Sequence, residues 1–123
     1  MSQPLAIVFY ERLMPGSQLV NRLQDAQYRV IALDNAARLA ATVQAEMPLL
    51  LLADLAAKGD VLGALGKVKA DAATSHVPIL AFAPDAAPEL LTAAQQSGAN
   101  LAVTESALVN HLPQLLEQVL RVD

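Results

Sequence analysis

The chain has 123 residues, 54% of them hydrophobic, with 12 acidic against 8 basic side chains and a net charge of −4. It has no cysteine, which excludes a disulfide framework, thiolate zinc sites and a cysteine nucleophile. The acidic balance argues against nucleic-acid binding, and no apolar run reaches the ~18 residues of a membrane span. No signal-peptide pattern opens the chain. We therefore expect one cytoplasmic domain, residues 1–123, that contacts neither nucleic acid nor membrane.

Five short apolar runs alternate with longer helix-like segments. The runs are 5–9 (LAIVF), 28–33 (YRVIAL), 49–54 (LLLLAD), 77–83 (VPILAFA) and 100–104 (NLAVT). Several are apolar on consecutive residues, which is typical of strands buried on both faces of a parallel sheet. The segments between them are long enough for crossover helices. The order predicts an α/β fold, a doubly wound five-stranded parallel sheet in a three-layer (βα)5 sandwich.

The first two helices have readable boundaries. Ser17, after Pro15-Gly16, is a candidate N-cap for the first helix. Asp34-Asn35 precedes the second, in which Leu39, Val43 and Met47 share one face at the helical period. We expect that face to be buried and the helix to end before Pro48.

The last three helices carry similar signals. Asp60 precedes a third helix over 61–70, and Asp85 with Pro88 opens the fourth. Gly98 lies where a left-handed C-cap belongs. For the fifth helix, Asn110 as N-cap would put Pro113 at the third helical position.

Ligands of such sheets bind beyond the carboxyl ends of the strands. The candidate site residues are therefore those that follow each run: Phe9, Tyr10 and Glu11, then Asp34, Asp54, Ala83, and finally Thr104, Glu105 and Ser106. No nucleophile and base pair can be assembled from these positions, so we predict no catalytic residues and no independent enzyme activity.

The segments PLLLLADL (48–55), KVKADAATSHVPILAFA (67–83) and GANLAVTES (98–106) resemble the receiver domain of two-component response regulators. The resemblance spans essentially the whole chain and implies a flavodoxin- or receiver-like sandwich. It places Asp54 at the position of the phosphoryl-accepting aspartate. The family's two Mg²⁺-binding acids fall on Phe9 and Tyr10, its hydroxyl residue on Ala83 and its lysine on Glu105. Its aromatic switch residue corresponds to Ala102.

These departures from the family pattern have direct consequences. Mg²⁺ requires hard oxygen ligands, which Phe9 cannot supply. Ala83 cannot donate a hydrogen bond to a phosphoryl oxygen, and Glu105 places a negative charge where the family has a positive one. The resemblance therefore favours an atypical, or pseudo-receiver, domain with a degenerate pocket and neither metal nor cofactor.

We carry three functional hypotheses. The first is a signalling module that binds a protein partner or a second copy through the fourth helix, fifth strand and fifth helix. The resemblance assigns this face to Glu89, Leu90, Ala93, Leu101, Ala102, Val103, Val109 and Leu112. The second is a phosphorylatable receiver in which Asp54 works with Glu11 and an unorthodox Mg²⁺ site. The third is small-molecule binding at the carboxyl edge of the sheet. There, Phe9 and Tyr10 either fill the vacated metal cleft or stack on a ligand.

Overall fold

The computed structural model describes residues 3–11 and 13–121, with the side chains of all of these except 13–15. The strands are β1 (Leu5–Phe9), β2 (Arg29–Leu33), β3 (Leu50–Asp54), β4 (Ile79–Ala83) and β5 (Leu101–Thr104). The helices are α1 (Leu13–Asp25), α2 (Leu39–Glu46), α3 (Val61–Ala70), α4 (Glu89–Gln96), α5 (Glu105–Asn110) and α6 (Leu112–Leu120). A 3-10 turn, Ala36–Arg38, precedes α2.

All five strands lie in one parallel sheet in the order β2-β1-β3-β4-β5. This confirms the predicted doubly wound α/β sheet. The order reverses between β1 and β3, and the carboxyl ends of these strands form the crevice in which ligands of such folds bind. The predicted end of every strand agrees with the structure, so the candidate site residues do lie along one edge of the sheet.

Side chains that alternate along the central strands β1, β3 and β4 form two apolar cores. Ile7, Leu51 and Ile79 face one side, where α2, α3 and α4 cover them. On the other side, α1, α5 and α6 cover a second core around Val8 and Leu52. Each fully buried aliphatic side chain stabilises the fold by about 1.5–3 kcal/mol, which explains why the apolar runs specify the sheet.

The first helix begins at Leu13, so the prediction of Ser17 as N-cap is wrong. Pro15 lies in the first turn, where its missing N–H costs no hydrogen bond. The proline that was read as part of a loop is therefore part of the helix.

The second helix ends before Pro48 as predicted, but its start and the burial of Met47 differ from the prediction. The Asn35 side chain accepts a hydrogen bond from the Ala37 N–H at 2.9 Å, but it caps the 3-10 turn, and α2 begins only at Leu39. Leu39 and Val43 are buried as expected. Met47 is 46% exposed, because the backbone turns left-handed there with a φ of 47°. This turn ends the helix and moves the Met47 side chain off the buried face.

The third helix confirms its predicted start, since Asp60 Oδ1 accepts a hydrogen bond from the Gly63 N–H at 3.0 Å. Gly98 has a φ of 111°, a left-handed conformation that suits its predicted place after α4. Within the described residues, none of the helices is both long and apolar enough to cross a membrane.

The segment after β5 forms two helices rather than one. Thr104 Oγ1 accepts a hydrogen bond from the Ala107 N–H at 3.2 Å and caps α5, while α6 starts at Leu112 with Pro113 in its first turn. Asn110 therefore ends α5 instead of capping the last helix. The last helix packs on the second core through Leu112 and Val119, which are buried there.

Candidate functional site at the carboxyl edge of the sheet

Asp54 is the central polar residue of this edge. It ends β3 in register with Phe82 of β4, and it is fully buried. Its Oδ1 atom accepts a hydrogen bond from the Ala56 N–H at 2.9 Å, so the carboxylate shapes the turn that leaves the strand. Asp54 takes part in at least one further interaction. Asp54 thus lies at the carboxyl end of β3, as the predicted strand over 49–54 requires.

Phe9 does not line the space beside Asp54. It pairs with Leu33 and Ala53 and is fully buried in the core under α2 and α3. Asp54 follows the alternation of Leu52, which belongs to the opposite core. The hypothesis that Phe9 stacks on a ligand is wrong, because its ring exposes no surface. The alternative that Phe9 fills the metal cleft is also wrong, because its ring lies on the side of the sheet opposite to Asp54.

Tyr10 lies on the same side of the sheet as Asp54, but its ring is directed at α1. A Cβ atom added to Gly16 would overlap the ring carbons of Tyr10, so the ring rests directly on the helix backbone. The Tyr10 N–H donates to the Leu33 carbonyl oxygen at 2.9 Å, which extends the β1–β2 pairing by one residue. The half-buried Tyr10 side chain therefore fills the space between β1 and α1.

Glu11 lies on the other side of the β1 terminus. It is exposed and lines a groove of about 540 Å³ between the 3-10 turn, α2 and α3. The charged side chains of this groove are Glu11, Asp34, Lys58, Asp60 and Lys67. Because Asp54 is not among the lining residues, the structure does not bring Glu11 and Asp54 into one site.

The ends of β4 and β5 are closed by apolar packing and local hydrogen bonds. Ala83 is fully buried and pairs with Thr104, and Glu105 is the half-buried first residue of α5. Next to them, Asp85 in the loop after β4 accepts two hydrogen bonds from Ser106. The Ser106 Oγ donates to Oδ2 at 2.5 Å, and the Ser106 N–H donates to Oδ1 at 3.1 Å. These bonds hold the pKa of the Asp85 carboxyl below its ordinary value.

Sequence reasoning missed this Asp85–Ser106 contact. The sequence predicts that Asp85 with Pro88 opens the fourth helix; α4 begins at Glu89, directly after Pro88 and without a side-chain cap. The sequence feature that could have indicated this contact is Thr104-Glu105-Ser106. A Thr at the end of a strand can also cap a helix, and a helix that starts at this point places Ser106 in its first turn, next to the end of β4.

The residues of this edge do not fit the Mg²⁺ that the resemblance implies. Octahedral Mg²⁺ is usually held by one or two carboxylates together with phosphate and water. The end of β1 supplies a buried Phe9 and a Tyr10 ring packed on α1, and Glu11 turns away. Across residues 3–11 and 13–121, no three His, Asp or Glu side chains come close enough to share a metal ion. Within these ranges, Asp54 therefore belongs to no cluster of three side chains that could hold a metal ion.

The predicted interaction face is partly available. Six of its members are half-buried on α4, the sheet-edge strand β5 and α5: Leu90, Ala93, Leu101, Ala102, Val103 and Val109. Glu89 is exposed at the start of α4. Leu112 is a correction to the predicted face, because it is only 3% exposed and packs in the core beneath α6.

The solved structures similar to this chain include receiver domains. A response regulator from Chloroflexus aurantiacus superposes with a TM-score of 0.87 at 18% identity, covering 96% of this chain and 98% of that one. The receiver domain of a Pseudomonas aeruginosa sensor histidine kinase, which holds a magnesium ion in its cleft, gives 0.85 at 16% identity, covering 96% and 98%. The BeF3-activated receiver domain of Klebsiella pneumoniae RstA gives 0.83 at 16% identity, covering 96% and 99%. No protein-family model and no curated protein matches the sequence.

These similarities confirm the resemblance at the level of the fold. The chain has the five-stranded parallel architecture of a response-regulator receiver domain over nearly its full length. Identities of 16–18% do not carry the activities of those proteins over to this chain.

Proposed function

We propose that this chain is an atypical receiver domain of a two-component signalling pathway in the cytoplasm. It acts by binding a protein partner or a second copy of itself, not as an enzyme, and it is not phosphorylated by the usual Mg²⁺-dependent route. The observation that carries this proposal is the contrast between two strand ends. Asp54 is retained at the end of β3, whereas at the end of β1 Phe9 lies in the core and the Tyr10 ring packs on Gly16.

The chemistry of phosphoryl transfer supports this interpretation. Transfer to a carboxylate depends on positioning and on a metal ion that neutralises the developing charge. At this edge the Ala83 side chain has no hydrogen-bond donor where the family has a hydroxyl residue, and an acidic residue, Glu105, stands where the family has a lysine. Both differences disfavour binding of a phosphoryl group. Signalling through Asp54 would have to proceed without these contributions.

The surface best suited to a partner lies along α4 and β5. β5 is an edge strand of the sheet, and its four residues are all half-buried. Ala102 packs on the α4 side of the sheet, while Leu101 and Val103 pack on the opposite side. Edge strands and partly apolar helix faces are common docking elements. We call the proposed surface the α4–β5 face; it consists of Glu89, Leu90, Ala93, Leu101, Ala102, Val103 and Val109. Leu112 is left out because it is buried.

The proposal is tested by offering the protein Mg²⁺ with beryllofluoride, and separately with acetyl phosphate. We expect the amide NMR spectrum and the intact mass to remain the same as without the phosphodonor. The Klebsiella RstA receiver domain, solved in its BeF3-activated form, is the positive control. A spectral change or an 80 Da adduct that Asp54→Asn abolishes would overturn the proposal and establish the phosphorylatable alternative.

The groove beside Glu11 supports a second candidate function, the binding of a small charged molecule. Its volume of about 540 Å³ lies within the usual range for ligand sites, and it opens at the carboxyl edge near the β1/β3 reversal. Native mass spectrometry of the purified protein should then show a retained ligand that is lost when Ala40→Leu narrows the groove. A bare protein mass in both samples would remove this candidate.

A further inference from the structure

The loop after β4 and the start of α5 are joined by a two-point contact. Asp85 accepts hydrogen bonds on both carboxylate oxygens, one from the Ser106 side chain at 2.5 Å and one from the Ser106 backbone at 3.1 Å. Such charge-assisted pairs are shorter and stronger than neutral hydrogen bonds and fix the relative orientation of the two groups.

This contact does more than complete the first turn of α5. That turn already has a local cap, Thr104, which accepts a hydrogen bond from the Ala107 N–H at 3.2 Å. The acceptor of the Ser106 N–H instead comes from a segment 21 residues earlier in the chain. The bond therefore joins two elements that are separate in sequence.

The segment that carries Asp85 determines where α4 begins. The Ala87 N–H donates to the Pro84 carbonyl oxygen at 3.0 Å, and the Leu90 N–H donates to the Ala87 carbonyl oxygen at 3.1 Å. The chain from β4 to the first turn of α4 is thus a short, hydrogen-bonded connection. Because this connection is short, we expect a restraint on Asp85 to limit the movement of the N-terminus of α4, which lies at one end of the α4–β5 face.

We propose that Asp85 and Ser106 form a latch that holds the start of α4 in one position relative to β5 and α5, independently of any phosphoryl group. The role of the latch rests on the proposed function, because the surface it orients is the α4–β5 face. A domain switches only if an input stabilises one of its two conformations more than the other. The latch favours one position of α4 permanently and leaves the face in a single conformation.

The latch is tested by amide hydrogen exchange measured by NMR on the whole chain. We expect Asp85→Ala, which removes both hydrogen bonds, to speed exchange at Leu90 and Leu91, in the first turn of α4, by about tenfold. Ser106→Ala leaves the backbone bond to Asp85 in place and should give a smaller increase. The double variant should exchange no faster than Asp85→Ala alone, because both substitutions act on the same contact.

Two further variants make the test specific. Asp71→Ala removes a similar carboxylate contact, to the Ala73 N–H at 2.9 Å, in the loop before β4, and should leave the α4 amides unchanged. Asp85→Asn keeps an acceptor oxygen without the charge and should give a smaller increase than Asp85→Ala. It also provides a folded variant if the alanine substitution lowers stability too far. Unchanged exchange at Leu90 and Leu91 in Asp85→Asn and Ser106→Ala would overturn the proposal.

The readout separates the latch from the proposed function, since exchange requires neither a partner nor a phosphodonor. If beryllofluoride produces an Asp54-dependent change while the latch variants loosen α4 as expected, the proposed function fails and the latch stands. If beryllofluoride has no effect and the latch variants exchange like the wild type, the latch fails and the proposed function stands.

Discussion

The packing of the Tyr10 ring on Gly16 makes a quantitative prediction for Gly16→Ala. In an open helix this substitution stabilises by up to about 1 kcal/mol, because Ala has the higher helix propensity. Here the new Cβ atom would overlap the Tyr10 ring, and overpacking of this kind costs about 1–3 kcal/mol. The two effects together predict a net loss of about 1 kcal/mol in the free energy of unfolding.

Urea denaturation of the four proteins of a double-mutant cycle at positions 10 and 16 measures the gain in helix propensity and the cost of overpacking separately. In a Tyr10→Ala background the overlap is absent, so Gly16→Ala should stabilise by up to about 1 kcal/mol and thereby reverse its sign. Gly66→Ala is the matched control, since a Cβ atom there would have no neighbour within 4 Å, and it should stabilise in both backgrounds. If Gly16→Ala stabilises the wild type as Gly66→Ala does, the Tyr10 ring is not on α1 and our account of the β1 terminus is refuted.

Three further predictions concern individual polar residues and their hydrogen bonds. Thr74 is buried and its hydroxyl donates to the Val68 carbonyl oxygen at 2.7 Å, so Thr74→Val should lower the free energy of unfolding by about 1–3 kcal/mol in urea titration. Lys69 donates to two loop carbonyl oxygens at 2.8 and 3.1 Å, and Lys69→Met should destabilise by about 1 kcal/mol in the same assay. Asp85 has a lowered pKa in the folded protein, so its contribution to stability is present above the ordinary carboxyl pKa and is lost as the pH falls through the folded value. An NMR titration of the Asp85 carboxyl carbon should show that pKa rise in Ser106→Ala, and an unchanged value would contradict the hydrogen bonds.

The strands could be predicted because their signal is local and redundant. LAIVF and LLLLAD are apolar on consecutive residues, as strands buried on both faces require, and both end where predicted. The helix starts were harder, since Pro15 fits either a loop or a first helical turn. In the structure the neighbouring Gly16 packs against the Tyr10 ring, a contact that the local sequence does not encode.

The site was predicted only in part, for a similar reason. The position of Asp54 follows from the end of a strand, and so does the absence of acids at Phe9 and Tyr10. The direction of the Tyr10 ring depends on a glycine in the neighbouring helix, and the partner of Asp85 lies 21 residues away. Pairings of this kind become visible only when the sheet has brought the strand ends together.

The contacts at the ends of β4 and β5 also imply that Asp54 could be phosphorylated without a change in the conformation of the domain. In a receiver that switches, a new phosphoryl group must find donors at the ends of β4 and β5 that move to meet it. Here Ala83 has no donor to offer, and both donors of Ser106 already bind Asp85. A group that interacts equally with two conformations shifts no population between them. If a large excess of phosphoramidate modifies Asp54 in part of the sample, we therefore expect amide shifts to change near β3 and to stay constant at Leu90 and Leu91. Coupled changes at both places in the modified fraction would show that this domain still switches, and the argument from its strand ends would be wrong.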